Sequence, residues 1–536
     1  MQLASLDTAG AGAFGWTLTI LYLGVVGMIC VYGVHRFWLV FLFSRGDRRR
    51  NDEPMRRFET PPRVTVQVPL FNEGPVARRV IDAVCRLDYP KHRLQVQVLD
   101  DSTDASVRIA ADACRKWQAR GLDVEHVIRP DREGFKAGAL QHGLKTATGD
   151  IVAVFDADFL PKPDFLKRTV DHFTDPNVCL IQTRWGHLNR RGGPLTWCQS
   201  ILLDGHFAIE HEGRNANGRW IHFNGTGGVW RRAAIDDAGG WSADTLSEDL
   251  DLSLRAQAKG WTCRFLTGVE CPAELPPTVM AYKSQQHRWA KGTTQAALKY
   301  FVPLMRRKLP FAVKSELFFQ LLWPIASVLI TSSAVLYFPA FYIDVRQSSA
   351  PLWSSGMLQW LLLMGGLVSA AVFYTVSQIA VGVGLVRSVL SLPLLIAFGA
   401  AIAVTNTKGV AEALLGLRSG FVRTPKYNRV DGSERDDAQH DETPTEDRQG
   451  GFSLPWGKIG VVAVESLLAL YMVVCITIAI TATSTIISLP LLVLFLLGYG
   501  WFAIASALDL AGVQIPRPRP RPMRSPSAAA LPSTRT

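Results

Sequence analysis

Ile151-Val-Ala-Val-Phe-Asp-Ala-Asp158 is the stretch of this 536-residue sequence that decides the fold. Its first five residues are all apolar, which is typical of a strand buried on both faces of a sheet. Two carboxylates, Asp156 and Asp158, follow directly. Ligands of open α/β sheets bind beyond the carboxyl ends of the strands, and oxygen ligands at that place suit a hard divalent cation. The stretch therefore predicts a site for Mg²⁺ or Mn²⁺, although an Asp-x-Asp pair by itself also occurs in ordinary loops.

Strands and helices alternate on the N-terminal side of this stretch. Each short apolar run is followed by a segment with helical periodicity. Such alternation implies an open, mostly parallel sheet with a Rossmann-like arrangement. The predicted strands are 63–69, 94–99, 124–128 and 151–155, and the predicted helices are 75–87, 105–120 and 137–146.

Long apolar runs lie on both sides of the globular segment. No Asp, Glu, Lys, Arg or His stands between Asp7 and His35, and the apolar character continues to Phe43. Such a run is too long for the core of a signal peptide and predicts a retained transmembrane helix. Further runs follow the globular segment at 317–343, 352–386, 388–407 and 466–508, and the last is long enough for two helices.

The number of spanning helices depends on residues 388–407. This run carries Pro393 and Asn406 and is barely long enough to span. If it lies at the membrane interface instead, every Lys/Arg cluster falls on the side of the large domain, as the positive-inside rule requires. We therefore expect five spanning helices, with the N-terminus outside and the C-terminus inside. Six spanning helices are the alternative.

Composition limits the other classes of function. The net charge is +11, and basic clusters such as 45–50 and 517–521 flank the apolar runs. That placement follows the positive-inside rule and requires no nucleic-acid partner. The eight cysteines are scattered without a CxxC pair, which favours neither a zinc cluster nor a disulfide framework and indicates a reducing compartment.

Three further motifs accompany the Asp-x-Asp pair. Asp101 ends the second predicted strand, Glu248-Asp249 opens an amphipathic helix, and Gln285-x-x-Arg288-Trp289 precedes an apolar run. Each alone has an ordinary explanation, such as a helix cap, an acidic first turn or an interfacial tryptophan. Together, in this order and between two membrane regions, they resemble the signature of processive family-2 glycosyltransferases, the group that contains cellulose, chitin and hyaluronan synthases.

Local stretches are similar to one branch of that family. Gly134-Phe-Lys-Ala-Gly-Ala139, Phe223-Asn-Gly-Thr-Gly-Gly-Val-Trp230 and Gln285-Gln-His-Arg-Trp289 look like motifs of cellulose-synthase-like mannan and glucan synthases and their bacterial relatives. Glucomannan 4-β-mannosyltransferases belong to this branch. The resemblance covers about residues 60–430 and includes 421–427, which is similar to the family's gating loop and is called the gating-like segment below.

The resemblance implies how the chain binds a nucleotide sugar. Glu73 and Asp101 would contact the nucleoside. Asp156 and Lys136 would lie at the diphosphate, and Asp158 would ligate the Mg²⁺ or Mn²⁺ ion.

The resemblance also implies roles at the acceptor end. Asp249 would be the general base that deprotonates the acceptor hydroxyl. Gln285 and Arg288 would hold the diphosphate, and Trp289 would stack on the acceptor sugar. The loop Asn224-Gly225-Thr226 would contact the acceptor. Cellulose synthases carry a cysteine in this loop, so their sugar specificity is not carried over.

The predicted fold class is an α/β GT-A glycosyltransferase domain inserted in an α-helical transmembrane region. The predicted parts are 1–58, an N-terminal transmembrane helix and basic linker; 59–303, a cytoplasmic GT-A domain; 304–430, transmembrane helices with an interfacial segment and the gating-like segment; 431–453, a disordered acidic loop; 454–510, C-terminal transmembrane helices; and 511–536, a disordered basic tail.

The activity implied by the resemblance is inverting transfer of a hexose from UDP-glucose or GDP-mannose to a growing β-linked polysaccharide, for which we expect β-1,4 linkage and export through the membrane helices. The expected location is the inner or plasma membrane of a bacterium, in contact with membrane lipid; accessory subunits are left open. The alternative is a lipid glycosyltransferase of the ceramide or sterol kind, which makes a single transfer. The number of apolar segments and the gating-like segment favour the polysaccharide.

Overall fold

The structure is a computed structural model, and it describes residues 7–46, 52–347, 355–417, 425–431, 456–481 and 489–513. The predicted acidic loop lies outside these residues apart from Asp431, and the basic tail lies outside them beyond residue 513. Residues 421–424 of the gating-like segment also lie outside the described part of the chain.

Seven strands form one sheet in the order β3-β2-β1-β4-β6-β5-β7. Neighbouring strands are parallel except at β6, which is antiparallel to both β4 and β5. The strands are β1 (Val64–Leu70), β2 (Leu94–Asp100), β3 (Asp123–Ile128), β4 (Ile151–Val154), β5 (Val178–His187), β6 (Gly228–Arg231) and β7 (Thr262–Ala273). This mostly parallel sheet confirms the predicted GT-A-like fold class.

Buried polar side chains explain why β1 and β2 pair in a single register. Thr65 faces Gln95 and Gln67 faces Gln97 across the two strands. Thr65 Oγ1 donates to Gln95 Oε1 at 2.8 Å, and Gln67 Nε2 donates to Gln97 Oε1 at 3.1 Å. A shift by one residue would leave these buried groups without their bonds, at a cost of about 1–3 kcal/mol each.

Helices cover the sheet and flank the domain. In chain order they are α1 (Asp7–Arg45), α2 (Gly74–Val84), α3 (Ser106–Gln118), α4 (Phe135–Gly143), α5 (Phe165–Thr169), α6 (Pro194–Asp204), α7 (Glu212–Ala216), α8 (Arg232–Asp237), α9 (Glu248–Ala258), α10 (Val279–Arg306), α11 (Phe311–Gln347), α12 (Ser355–Ala380), α13 (Leu385–Leu390), α14 (Leu392–Leu414), α15 (Trp456–Thr481) and α16 (Leu489–Leu510). A π-helix, Gly205–His211, joins α6 to α7. Helices α2, α3 and α4 match the three helices predicted from periodicity.

Five of the described helical segments are long and apolar enough to cross a membrane, which indicates a multi-pass membrane protein. They are Ile20–Arg45, Phe311–Tyr337, Leu385–Leu414, Ile459–Ile480 and Leu489–Leu510. The predicted division of 466–508 into two helices is confirmed by α15 and α16. The predicted run 352–386 corresponds to α12. Its apolar part, Gly365–Ala380, is shorter than the five segments above.

The prediction that residues 388–407 are barely long enough to span is wrong on length. The helix continues past Thr407, and α13 and α14 together form an apolar segment of 30 residues, Leu385–Leu414. The predicted run ended before the charged residue Lys408, but the helix continues beyond it, so the uncharged stretch understated the extent of the segment.

Contacts nevertheless hold both ends of this segment against the globular domain. Near its start, Ser391 Oγ accepts a hydrogen bond of 3.0 Å from Trp197 Nε1 of α6. Near its end, Glu412 Oε2 accepts one of 2.9 Å from Lys291 Nζ of α10. Both contacts are made to helices that pack on the sheet domain, α6 and α10.

Candidate active site

A cavity opens beyond the carboxyl end of β4, between α9 and α10. The residues predicted for the site that line it are Lys136, Asp156, Asp158, Asn224, Gly225, Glu248-Asp249, Gln285, Arg288 and Trp289. Parallel pairing of β1 with β2 and with β4 places the ends of these strands at one edge of the sheet, and helix α10 crosses that edge. The tertiary structure therefore brings together residues that are more than 150 positions apart in the sequence.

Lys136 links the Asp-x-Asp stretch to the loop at the acceptor end. Its Nζ lies 2.6 Å from Asp156 Oδ1 and donates a hydrogen bond of 2.8 Å to the carbonyl oxygen of Gly225. Burial favours the neutral amine, but the negative charges of Asp156 and Glu248 outweigh it and raise the pKa of Lys136. The lysine is therefore a fixed cation at the place where a diphosphate would lie.

Asp158 has the surroundings of a ligand for a hard cation. The residue is 4% exposed, and its Oδ2 is paired with Lys426 Nζ. Its Oδ1 is buried and has no hydrogen-bond partner among the described residues. An unsatisfied buried carboxylate oxygen is unfavourable, and a divalent cation with oxygen ligands would satisfy it. The residues present therefore fit Mg²⁺ or Mn²⁺.

The described part of the gating-like segment lies over this carboxylate. Besides the Lys426 contact with Asp158, the backbone N–H of Tyr427 donates to Glu274 Oε1 at 3.0 Å. Four residues later, the N–H of Asp431 donates to the carbonyl oxygen of Leu188 at 2.6 Å. The chain between residues 425 and 431 therefore binds to the same edge of the domain that carries the cavity.

Asp249 lies in the first turn of α9 with its carboxylate at the cavity. Its Oδ1 accepts a hydrogen bond of 2.8 Å from the N–H of Leu250. Burial, followed by the like charge of Glu248, raises the pKa of Asp249 to about 7. A carboxylate with a pKa near the operating pH is a suitable general base.

Helix α9 is held in place from both sides. On one side, Ser253 Oγ accepts a hydrogen bond of 2.9 Å from the N–H of Phe223. Phe223 directly precedes the predicted acceptor-contacting loop Asn224-Gly225-Thr226, called the acceptor loop below. On the other, the buried Asp251 accepts hydrogen bonds of 2.8 Å from Lys299 and 2.7 Å from Tyr300 of α10. These contacts fix Asp249 relative to both the loop and α10.

Gly225 is favoured at its position by its backbone conformation and by the close approach of two side chains. Its φ of +84° lies in the left-handed region, where glycine is favoured. A Cβ at this position would lie 3.1 Å from Asp249 Oδ2 and 3.4 Å from Lys136 Nζ. A side chain there would therefore crowd the carboxylate that faces the cavity.

Gln285, Arg288 and Trp289 share one face of α10 because they are three and four residues apart. Burial lowers the pKa of Arg288, while Glu248 and Asp156 oppose that effect through their negative charges, so the guanidinium stays charged. The ring of Trp289 lies 6.3 Å from that of Trp185 on β5. The two indoles form an aromatic wall beside the carboxylates.

Three residues predicted for the site do not line this cavity. Thr226 is 1% exposed, and its Oγ1 accepts a hydrogen bond of 2.8 Å from the N–H of Asp156. It therefore positions the Asp-x-Asp stretch from below, where an acceptor sugar cannot reach it. The carboxylate of Asp101 accepts hydrogen bonds of 2.6 Å and 2.9 Å from the guanidinium of Arg129. Glu73 precedes α2 and is 8% exposed. Both lie just past the ends of β2 and β1, along the same sheet edge.

Other residues of the site had no role in the sequence prediction. Glu274 follows β7, Trp185 lies on β5, and Lys426 reaches in from more than 250 residues away. The gating-like motif contained Lys426, but only the folded chain shows which carboxylate it meets. An aromatic position in an apolar strand such as Trp185 carries no signal that separates it from the core.

Comparison with known proteins identifies the class of this domain. Residues 151–404 match the sequence model of the family described as Glycosyl transferase family group 2. Over these residues the chain is similar to family-2 glycosyltransferases, as the motifs predict, and the GT-A-like sheet and the carboxylate-lined cavity agree with this similarity.

The chain is similar to plant mannan synthases in particular. It is 39% identical over 297 residues to glucomannan 4-β-mannosyltransferase 2 of Arabidopsis thaliana, which covers 54% of each protein. It is 40% identical over 278 residues to glucomannan 4-β-mannosyltransferase 1 of Oryza sativa subsp. japonica, which covers 50% of this chain and 53% of that protein. The predicted resemblance to cellulose-synthase-like mannan synthases is thereby confirmed, although the chain spans about half the length of these relatives.

Among solved structures, a mannosyltransferase from Pyrobaculum calidifontis in complex with GDP-Man and Mn²⁺ is 22% identical to the chain. It has a TM-score of 0.46 and covers 73% of this chain and 100% of its own. This likeness is too distant to bear on activity.

Proposed function

We propose that the chain is a membrane-embedded, inverting hexosyltransferase that extends a β-1,4-linked polysaccharide from a nucleotide sugar. The observation that carries this proposal is the cavity itself. It combines Asp249, a carboxylate with a pKa of about 7, with the carboxylates of Asp156 and Asp158 and with two partly buried cations, Lys136 and Arg288. This set has one base for an acceptor hydroxyl and several charges for a leaving diphosphate.

The proposed reaction divides the work between the two ends of the cavity. Asp249 accepts the proton of the acceptor hydroxyl while the hydroxyl oxygen bonds to the anomeric carbon, and the bond from that carbon to the diphosphate breaks. Lys136, Gln285 and Arg288 bind the diphosphate and keep it in place as its charge grows. A divalent cation held by Asp158, beside Asp156, would neutralise further charge on the leaving diphosphate.

The plant relatives are named as mannosyltransferases, which favours a mannosyl donor. We therefore propose GDP-mannose as donor and a β-1,4-mannan or glucomannan as product, with UDP-glucose as the alternative donor. The test uses the full chain, purified in detergent, with each nucleotide sugar in turn and linkage analysis of the product. Incorporation of mannose in β-1,4 linkage supports the proposal. Incorporation of glucose alone would show that UDP-glucose is the donor instead.

The pH dependence should report on the proposed base. Because Asp249 must be ionised and its pKa is about 7, kcat/KM should fall about tenfold for each pH unit below that value. Replacing Glu248 by Gln removes the like charge that raises this pKa, so the acid limb of the profile should move to lower pH. The exposed Asp244→Asn variant should keep the wild-type limb. An unchanged limb in Glu248→Gln would contradict the assignment of Asp249.

Trp289 should separate polymer synthesis from simple donor turnover. An aromatic platform for a stacked ring is worth about 1–3 kcal/mol, so Trp289→Ala should lose polymer while donor binding and slow hydrolysis remain. Trp289→Phe, which keeps part of the stacking area, should be intermediate. Chain length is measured on the product of wild type without an added lipid acceptor. If wild type yields only a singly glycosylated lipid, and Trp289→Ala leaves that reaction intact, the chain is a lipid glycosyltransferase instead.

The membrane arrangement we propose follows from the position of the gating-like segment. The domain ends with α10, and Lys426 again contacts the domain, so an even number of crossings must separate them. Helices α11 and α12 supply two, and α14 is then interfacial, in keeping with its contacts to α6 and α10. With α1, α15 and α16 this makes five crossings, in which α12 takes the place of the longer apolar segment Leu385–Leu414. We infer that the domain and the C-terminus face the cytoplasm of a bacterial cell.

Single cysteines should test this arrangement. In a background without native cysteines, Ser419→Cys and Ser533→Cys should both be shielded from an impermeant thiol reagent outside intact cells, and Ser348→Cys should react. These three positions lie outside the described residues, in the links and tail whose side is at issue. External labelling of Ser419→Cys would show that α14 crosses the membrane.

A further inference from the structure

Three histidines converge behind the acceptor loop, outside the carboxylate cavity. His206 and His211 lie in the π-helix, and His222 lies two residues before Asn224. One ring nitrogen of each lies within 4.8 Å of the corresponding atoms of the other two. Among the described residues, no other group of three or more His, Cys, Asp or Glu side chains lies close enough together to share an ion.

The π-helix is what brings His206 and His211 together. In an α-helix, residues five apart point about 140° away from each other, since each residue turns the chain by about 100°. The wider π turn bonds residues i and i+5 and places their side chains on one face. The Nε2 atoms of His206 and His211 accordingly lie 3.0 Å apart. Single π turns inside helices occur frequently at functional sites.

The hydrogen bonds around the cluster resemble the outer contacts of a metal site. His206 Nδ1 lies 3.1 Å from Glu210 Oε2, and Glu210 is itself held by Arg214 Nη1 at 3.4 Å. A bond from one ring N–H to a carboxylate fixes the imidazole and directs the lone pair of the other nitrogen, Nε2, into the cluster. Metal-binding histidines almost always have such a partner.

The cluster is not satisfied by its own contacts. His211 is fully buried, and its Nδ1 has no hydrogen-bond partner in the described part of the chain. The same holds there for His222 Nδ1 and for the side-chain oxygen of Asn224. Asn224 Nδ2 lies 2.9 Å from His206 Nε2, and turning the amide over would direct its unpaired oxygen to the cluster instead.

We propose that His206, His211 and His222 bind one transition-metal ion of the borderline class, foremost Zn²⁺, with Asn224 at the fourth position. Three nitrogen ligands select such an ion over Mg²⁺, whereas the oxygen ligand Asp158 has the opposite preference. The two proposed sites differ in chemistry, and they are neighbours, because Asn224 also lines the carboxylate cavity.

Such an ion would connect the acceptor loop to the apolar helices. In the π-helix, Ile209 packs in one cluster with Leu39 and Phe43 of α1 and with Phe373 of α12. His222, in turn, lies next to the loop that lines the cavity. Binding of one ion by residues of both segments fixes the acceptor loop against the membrane-facing part of the protein.

Metal content of the full chain tests the proposal without reference to activity. Protein purified in detergent is dialysed against zinc-free buffer that contains Mg²⁺, and its metals are measured by mass spectrometry. Wild type should retain about one zinc ion per chain, bound by three nitrogen ligands at about 2.0 Å in its X-ray absorption spectrum. His211→Gln and His222→Gln should lose it, and Glu210→Gln should weaken zinc binding by about 10–100-fold.

Matched variants separate this site from others. His142→Gln, on α4, and Asp158→Ala should both keep the zinc. Wild type that holds no transition metal, or whose absorption spectrum shows no imidazole ligands, overturns the proposal. So does zinc that persists in folded His211→Gln protein. The wild-type spectrum decides the matter even if the histidine variants do not fold, and neither result depends on the proposed transferase activity.

Discussion

Replacing Asp249 by Asn is expected to lower the rate of glycosyl transfer by about 10²–10⁴-fold, the usual contribution of a general base. The amide has the shape of the carboxylate and can still accept the 2.8 Å hydrogen bond from Leu250 N–H, so the fold of α9 should be preserved. What is lost is the ability to take a proton from the acceptor hydroxyl. Binding of the nucleotide sugar should stay within a few-fold of wild type, because the cationic side chains at the diphosphate are unchanged.

The measurement is initial rate of sugar incorporation, with donor affinity determined separately by titration. Asp244→Asn is the matched control, since this exposed carboxylate lies five residues upstream and outside the cavity. It should retain wild-type rates. Transfer near the wild-type rate in Asp249→Asn would remove Asp249 from the role of base. A parallel loss of donor binding would mean instead that the carboxylate supports the donor site.

Replacing Asp158 by Ala is expected to abolish transfer together with its dependence on divalent metal. Both oxygens of a buried carboxylate disappear, one of them the oxygen that has no hydrogen-bond partner among the described residues. Without this ligand, the charge of the leaving diphosphate would be met by Lys136 and Arg288 alone. Removal of metal from wild type by excess chelator should have the same effect, and added Mg²⁺ or Mn²⁺ should restore wild type but not the variant.

Asp164→Ala provides the control for this variant. Asp164 lies in the same stretch after β4 but is exposed, and its contact with Arg168 is 3.9 Å long, so it should be worth little. Metal-dependent transfer should persist there. Full turnover of wild type in chelator would exclude a metal role for Asp158, and so would a metal response in Asp158→Ala that equals that of wild type.

The sequence by itself determined four of the seven strands, β1 to β4, and the candidate carboxylates at the edge of the sheet. Strands β1 to β4 could be predicted because their sequences show alternating or continuous apolar residues, which are local patterns. The Asp-x-Asp pair and Asp249 were identified as candidates because carboxylates at the end of a strand and in the first turn of a helix are local features. The same applies to α15 and α16, whose length and apolarity are read directly from composition.

Tertiary structure decided what no local pattern contains. Antiparallel insertion of β6 between β4 and β5 depends on long-range pairing, which leaves no period in the sequence. Thr226 was placed at the acceptor by its motif, but burial under Asp156 gives it a positioning role. The length of α14 was underestimated, and the contacts at its two ends are visible only in the fold.

The histidine cluster shows the same limit most clearly. The scattered cysteines favoured no zinc cluster, and the spacing of His206, His211 and His222 gives no metal-ligand pattern for an α-helix or a strand. A π turn and a loop bring their nitrogens within 4.8 Å. The sequence determines which groups are available and which elements carry them. Which groups meet is decided by packing, because distances between segments far apart in the chain are set by the whole fold.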